Sequence, residues 1–180
     1  SVVFADDFGS YGANTVLNAG DSVFSGTWKT TDGTVDYIGP PPANFSNLCR
    51  GFGSCIDLDG STSNAGIFST VQSFAAGTYA LTVRLRGTTE TVTISLGNWS
   101  TTITGIGSDD DVSGVFNITT TGGALSFANA GGDNIGAVLS KVSLAEVAIP
   151  PAPVPLPAGG LLLLGGLGGL AALRRRRARG

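Results

Sequence analysis

Alternation of apolar and polar side chains at every second position is the feature that most constrains the fold of this chain. Residues Thr78–Arg86 show it most clearly, because their apolar side chains would share one face of an extended strand and their polar side chains the other. Thr91–Leu96 repeats the pattern in a shorter form. A period of two residues is typical of half-buried antiparallel strands, so both segments predict β-structure facing a core. The predicted core positions are Tyr79, Leu81, Val83, Leu85, Val92, Ile94 and Leu96.

Short segments of this kind recur along residues 1–147, separated by Gly, Ser, Thr, Asn and Asp. We predict that this part of the chain is one all-β domain, an antiparallel β-sandwich of the jelly-roll type. The link Arg86–Glu90 predicts a hairpin between two of its strands. The other predicted strands are Val2–Ala5, Thr34–Ile38, Ser54–Leu58, Gly66–Thr70, Thr101–Ile106, Gly114–Thr119, Ala124–Ala128 and Val138–Val147.

An apolar run at residues 158–173 is followed by a cluster of arginines. As a helix, its 16 residues would extend roughly 24 Å, slightly less than the hydrocarbon core of about 30 Å in a bilayer. A buried core helix is the alternative, but such a helix does not usually end in consecutive arginines. We therefore predict a membrane helix, reached through a proline-rich linker at residues 148–157 and followed by a cytoplasmic tail at residues 174–180. The basic residues that flank the membrane would be Arg174, Arg175, Arg176, Arg177 and Arg179.

The order of these C-terminal elements matches a known class of sorting signal. A Val-Pro-Leu-Pro-Ala motif stands directly before the apolar run and the arginines. Together the three parts resemble signals of the PEP-CTERM type, and closely the VPLPA-CTERM variant. The resemblance implies recognition and processing by an exosortase-like membrane enzyme. It also implies an exported protein of a Gram-negative bacterium, held transiently in the inner membrane and then displayed at the cell surface or released. The implied sorting motif is Val154, Pro155, Leu156, Pro157 and Ala158.

The distribution of charge also separates residues 1–147 from the C-terminal elements. All 13 acidic residues lie between Asp6 and Glu146, where only five basic residues oppose them, so residues 1–147 have a net charge of −8. A domain this acidic would repel a phosphate backbone, which argues against nucleic acid as a partner.

The two cysteines predict a disulfide. Cys49 and Cys55 are the only cysteines of a chain that we expect to be exported, and Gly51 and Gly53 between them would allow a small loop to close. A metal site would need further ligands, and the Cys-x-x-Cys spacing of redox sites is absent.

The middle of the chain carries a second resemblance. Four segments follow one another at Gly33–Gly39, Ser54–Gly60, Gly66–Phe74 and Ala76–Gly87. Their order resembles the galactose-binding-like jelly rolls of "choice-of-anchor" surface proteins, over roughly residues 25–87 and more weakly over Gly136–Leu144. The resemblance implies a domain that binds glycans or has a structural role. The closing strand departs from the family pattern, because Ser140 stands where an aspartate is usual.

The chemistry available to the chain argues against an enzyme. It has no histidine, which removes the usual Ser-His-Asp and Cys-His arrangements. Carboxylates remain, and alternation along a strand would place Asp57 and Asp59 on one face. Calcium prefers such oxygen ligands, although solvated aspartates are the commoner explanation. The candidate calcium ligands are Asp57, Asp59, Asp109 and Asp111.

Glycan binding needs aromatic rings and polar groups that bond sugar hydroxyls. Trp99, Trp28 and Tyr37 are candidate platforms, with burial in the core as the alternative for each. Arg84 and Arg86 lie on the polar face of their strand and would meet an acidic glycan or pair with aspartates. We predict a non-enzymatic carbohydrate-binding or adhesion module at the cell surface. The alternative is a structural protein of the extracellular matrix that forms filaments.

Overall fold

The computed structural model describes residues 1–9, 11–87, 90–105, 111–134 and 136–148, with the backbone alone for residues 111–113. These residues belong to one unit, Ser1–Ala148. Within them, strands alternate with loops, and the one helical element is a 3-10 turn at Ser46–Cys49. The strands are β1 (Val2–Asp6), β2 (Thr15–Asn18), β3 (Ser22–Val23), β4 (Trp28–Thr31), β5 (Thr34–Ile38), β6 (Cys55–Asp57), β7 (Ile67–Phe74), β8 (Gly77–Arg86), β9 (Val92–Leu96), β10 (Trp99–Ile103), β11 (Asp111–Thr120), β12 (Gly123–Asn129) and β13 (Val138–Glu146).

Two antiparallel sheets pack face to face, which confirms the predicted all-β class. The described strands form a seven-stranded sheet in the order β11-β8-β13-β6-β5-β2, with β1 beside β13, and a six-stranded sheet in the order β10-β9-β12-β7-β4-β3. The chain changes sheet repeatedly, for example from β7 to β8 and again to β9. These crossings between two sheets give a jelly-roll-like sandwich.

The hairpin predicted at Arg86–Glu90 is wrong. Strand β8 pairs with β11 and β13 in one sheet, whereas β9 pairs with β10 and β12 in the other. Both strands have the predicted alternation and meet the same core, but from opposite sides. Alternation reports which face of a strand is buried, and it carries no information about the neighbouring strand.

The core lies between the sheets and is centred on aromatic rings. All predicted core positions of β8 and β9 are buried. Trp28 of β4 stacks on Phe68 of β7 at 4.3 Å between ring centroids, and Phe8 packs against both. The indole nitrogen of Trp28 donates a hydrogen bond to Asp6 at 2.8 Å, and the Tyr11 hydroxyl donates to the same oxygen at 2.6 Å. The N-terminal segment is thereby joined to the centre of the sandwich.

A second, smaller apolar cluster lies on the outer face of the seven-stranded sheet. Residues 40–54, here called the cover segment, cross this face between β5 and β6. Ile38, Cys49, Cys55 and Val138 are buried together, with Leu48 packed against them. Cys49 and Cys55 form the predicted disulfide, with their Cα atoms 5.5 Å apart. The bridge thus ties the cover segment to the first residue of β6, the strand into which the segment leads.

Two arginines of β8 hold the cover segment from beneath. The guanidinium of Arg84 lies 3.2 Å from the centroid of the Phe52 ring, a cation–π contact. The Arg86 guanidinium donates a hydrogen bond to the carbonyl of Leu48 at 3.4 Å. Both side chains lie on the face opposite the core, as the alternation predicts.

The predicted C-terminal elements lie outside the described residues. These are the linker beyond Ala148, the sorting motif at Val154–Ala158, the apolar run and the arginine cluster. None of the helical structure in the described ranges is long and apolar enough to cross a bilayer.

Removing the disulfide should destabilise the domain without unfolding it. The bridge closes a loop with a sequence separation of six residues on the outer face of a sheet, and a loop this small contributes about 2 kcal/mol in the chain-entropy account. We expect C49A/C55A to lose about that much stability in urea denaturation, while its circular dichroism spectrum keeps the β-sheet form. Dithiothreitol should produce the same loss in the natural chain and none in the double variant. Complete unfolding of the reduced protein would contradict this assignment.

Candidate functional site

A cavity of about 590 Å³ opens on the outer face of the seven-stranded sheet, beside the cover segment. Its floor comes from β2, β5, β6 and the start of β13, and its walls come from the cover segment and the loops after β6 and before β13. Polar and apolar groups both line it, so it can satisfy a ligand that has hydroxyls and a hydrophobic face. The lining residues include Asp36, Asp57, Ser61, Val16, Phe45 and Val138.

Strand register places two carboxylates side by side on the cavity floor. Asp36 of β5 is the direct partner of Asp57 of β6 in an antiparallel ladder. Direct partners point to the same face, with Cβ atoms about 4.5–5.5 Å apart. The same row continues through Val138 of β13 to Arg86 of β8. One row of residues across the sheet therefore includes part of the cavity floor and also Arg86, which contacts the cover segment.

Backbone amides hold the Asp57 carboxylate. The amide of Asp59 donates to it at 3.1 Å, and the amides of Gly60 and Gly136 donate as well. Burial raises the pKa of Asp57 to about 6 and the charge of Asp36 adds to the rise, while the three amides oppose it. A Cβ atom at Gly136 would stand only 2.7 Å from the Cβ of Asp59, so glycine is required at this approach.

The loop after β6 holds Asp36. The Ser61 hydroxyl donates to Asp36 Oδ2, and Oδ1 of Asp36 is buried and accepts no hydrogen bond from the described residues. Gly60 permits this loop, because its φ of +70° and its approach to Thr34 leave no room for a side chain. The pocket therefore combines two carboxylates that the surrounding chain holds in place.

Phe45 of the cover segment is the exposed aromatic ring of the cavity. Its side chain is 68% exposed, and its backbone has a φ of 64°. The left-handed region is unfavourable for a bulky residue, and such strain is often found at ligand-binding positions. Sequence reasoning missed Phe45. The available signal was a lone aromatic residue in the polar, proline-rich stretch at residues 40–47, where no strand would bury it.

The prediction that Trp28 and Tyr37 are exposed platforms for a sugar is wrong. Trp28 is 0% exposed and Tyr37 only 1%, so neither ring can face a sugar. Trp28 is in the core stack, and the Tyr37 hydroxyl donates to the carbonyl of Phe8 at 3.1 Å. Tyr37 is a lining residue of the cavity floor, but its ring is buried. Trp99 is partly buried, packs against Phe116 at 6.1 Å between centroids, and does not line the cavity.

Arg84 and Arg86 do not line the cavity either. Their contacts with Phe52 and Leu48 stabilise the segment that forms its wall. The two arginines therefore support the wall of the pocket from behind. Their contact with an acidic glycan stays a prediction, and it would not take place in this cavity.

The predicted calcium ligands do not form one group. Strand β6 ends at Asp57, so the alternation does not extend to Asp59, which is fully buried. Burial raises the pKa of Asp59 to about 6, and the adjacent Asp133 carboxyl raises it further. Asp109 lies outside the described residues, and Asp111 begins β11. Among the described residues, no three His, Cys, Asp or Glu side chains are arranged to hold a metal ion. Calcium stays a prediction.

Solved structures similar to this chain include carbohydrate-binding modules. The family 35 module from Clostridium thermocellum is 14% identical, with a TM-score of 0.44, over 79% of this chain and 98% of the module. The C-terminal CBM6 of LamC from Zobellia galactanivorans is 10% identical, with a TM-score of 0.40, over 74% and 99%. An exo-beta-1,3-galactanase from Phanerochaete chrysosporium is 16% identical, with a TM-score of 0.41, over 74% of this chain but 29% of the enzyme. The chain thus spans less than a third of that enzyme.

No protein-family model matches the chain, and no curated protein matches it.

Because the pKa of Asp59 is raised, we predict that the contribution of this residue to the stability of the fold depends on pH. A carboxyl whose pKa is higher in the folded than in the unfolded chain stabilises the fold at low pH, and that contribution is lost as the pH rises from about 4 through about 6. D59N keeps the shape of the side chain and removes the charge. In urea denaturation we expect D59N to be close to the natural chain near pH 4 and to exceed it by about 3 kcal/mol at pH 7.5.

The matched control is Asp32→Asn, because Asp32 is exposed and outside the cavity. It should change stability equally at both pH values. A D59N variant that is less stable than the natural chain at pH 7.5 would refute the assignment.

Proposed function

We propose that residues 1–148 are a non-catalytic carbohydrate-binding domain whose site is the cavity beside the cover segment. The observation that carries this proposal is a concave site with a polar floor and an exposed aromatic ring at its wall. A sugar ring has hydroxyls around its edge and apolar C–H faces. Asp36, Asp57 and Ser61 suit the hydroxyls, and the ring of Phe45 suits a C–H face. The cavity volume is in the range of about 300–1,000 Å³ that small-molecule sites occupy.

The arrangement of the two carboxylates supports binding over hydrolysis. A glycosidase places two carboxyl groups on either side of the bond that it breaks. Asp36 and Asp57 project from adjacent strands of one sheet, so they approach a ligand from the same side. Three backbone amides also fix Asp57 as an acceptor. Release of reducing sugar from an oligosaccharide by the purified domain would contradict this part of the proposal.

The C-terminal tail supports a cell-surface location for this domain. We propose that the chain is exported, anchored transiently through residues 158–173, and processed at Val154–Ala158 by an exosortase-like enzyme. In a host that has such an enzyme, the natural chain should reach the outer surface in a processed form. Replacing Pro155 and Pro157 with alanine should leave an unprocessed chain in the inner-membrane fraction. Normal processing of that variant would rule the motif out.

Phe45 should be a major contributor to glycan affinity. A glycan array and titration calorimetry would identify and measure a ligand of the natural domain. We expect Phe45→Ala to lower its affinity about tenfold, roughly 1.4 kcal/mol, because a stacked ring is removed. Stability should change little, since the side chain is exposed and alanine keeps the Cβ atom that makes the left-handed backbone of residue 45 unfavourable.

Trp99→Ala is the informative comparison, because Trp99 is aromatic and partly exposed but lies outside the cavity. It should retain the affinity of the natural domain, although it costs some stability through the lost contact with Phe116. Loss of binding in W99A but not in F45A would move the site to the surface around Trp99 in the six-stranded sheet. Filaments without any glycan ligand would instead favour the structural alternative.

A further inference from the structure

The charges around the cavity restrict the kind of sugar that it can take. The described residues that line it include two carboxylates, Asp36 and Asp57, and no lysine or arginine. Arg86 is in the same row of the sheet, but Val138 separates it from Asp57, and two strand spacings amount to about 9–10 Å. Arg84 and Arg86 contact the cover segment. The field inside the cavity is therefore negative.

The two carboxylates also destabilise one another. Like charges at directly paired positions of a sheet repel, and partial burial strengthens the repulsion because water screens it less. The raised pKa of Asp57 is in keeping with this arrangement. Asp36 and Asp57 both line the cavity, so a cationic group bound there between them would remove the repulsion.

We infer that the cavity selects an amino sugar whose amine is unacetylated and protonated. The inference rests on the proposed function and adds to it the group that is recognised. An ammonium group donates three hydrogen bonds and would bridge Asp36 and Asp57, while the sugar ring packs on Phe45. An N-acetylated sugar lacks the charge, and a uronic acid would be repelled.

Titration calorimetry with three tetrasaccharides at pH 7 and 0.15 M NaCl tests the inference. The probes are the tetramers of glucosamine, N-acetylglucosamine and galacturonic acid. We expect the glucosamine tetramer to bind at least tenfold more tightly than the N-acetylated one, and the galacturonate tetramer not to bind. D36N and D57N should each lower the affinity for the glucosamine tetramer at least tenfold more than for the N-acetylated tetramer. Asn retains an oxygen for the backbone donors, and thermal melting would verify that both variants are folded.

Asp32→Asn is the matched control for charge, since it removes one exposed carboxylate outside the cavity. It should leave the affinity for the glucosamine tetramer within twofold. If D32N weakens binding as much as D36N does, the attraction is a general effect of the acidic domain and the inference is wrong. Equal affinity for spermidine, with the same dependence on Asp36 and Asp57, would overturn it by showing an amine site that is indifferent to sugar.

Two further outcomes separate this inference from the proposed function. If the N-acetylated tetramer binds as tightly as the glucosamine tetramer and F45A abolishes both, the inference fails and the carbohydrate site stands. If neither these tetramers nor any glycan on an array bind, both fail. Binding of the N-acetylated tetramer that requires calcium and is lost with EDTA would assign the carboxylates to a metal ion, and would also overturn the inference.

Discussion

The hydrogen bond from the Trp28 indole to Asp6 is the contact on which the rest of the sandwich depends. A fully buried Trp needs an acceptor for its N–H group, and here the acceptor comes from the end of β1, a strand of the opposite sheet. Tyr11 donates to the same carboxylate, and burial and Asp6 raise the pKa of the Tyr11 phenol. The stack of Trp28 on Phe68 can fill the core only because this polar group is satisfied. Both sheets are thereby fixed around one aromatic centre.

The candidate site depends on this core, although its two carboxylates lie on the opposite face of the sheet. Alternate residues of β5 and β6 face inward, so the residues between them must face outward, and Asp36 and Asp57 are two of these. The cover segment then gives the outer face a wall, and its small apolar cluster is separate from the main core. The packing of the inner face against the core therefore determines which residues, including Asp36 and Asp57, point outward into the cavity.

Periodicity predicted the fold class and most strands, but not how the strands combine. It placed β8 and β9 correctly, yet it missed β2, β3 and β4, which are short and mostly polar and become strands through pairing. It nominated Trp28 and Tyr37 as platforms because composition cannot tell a buried ring from an exposed one. Asp36 and Asp57 meet through a register between strands 21 residues apart in the chain. Local sequence does not determine the register between two strands, so the pairing of Asp36 with Asp57 could not be predicted.

The separation of the two apolar clusters has a consequence for how this domain can vary. The cover segment begins and ends on adjacent strands, is closed by Cys49–Cys55, and packs its apolar side chains on the outer face of the sheet. Substitutions within residues 40–48 can reshape one wall of the cavity while the aromatic core keeps its packing. A lineage of such domains would thus be free to diversify its ligands through one short stretch of chain, much as antibody loops vary on a constant framework.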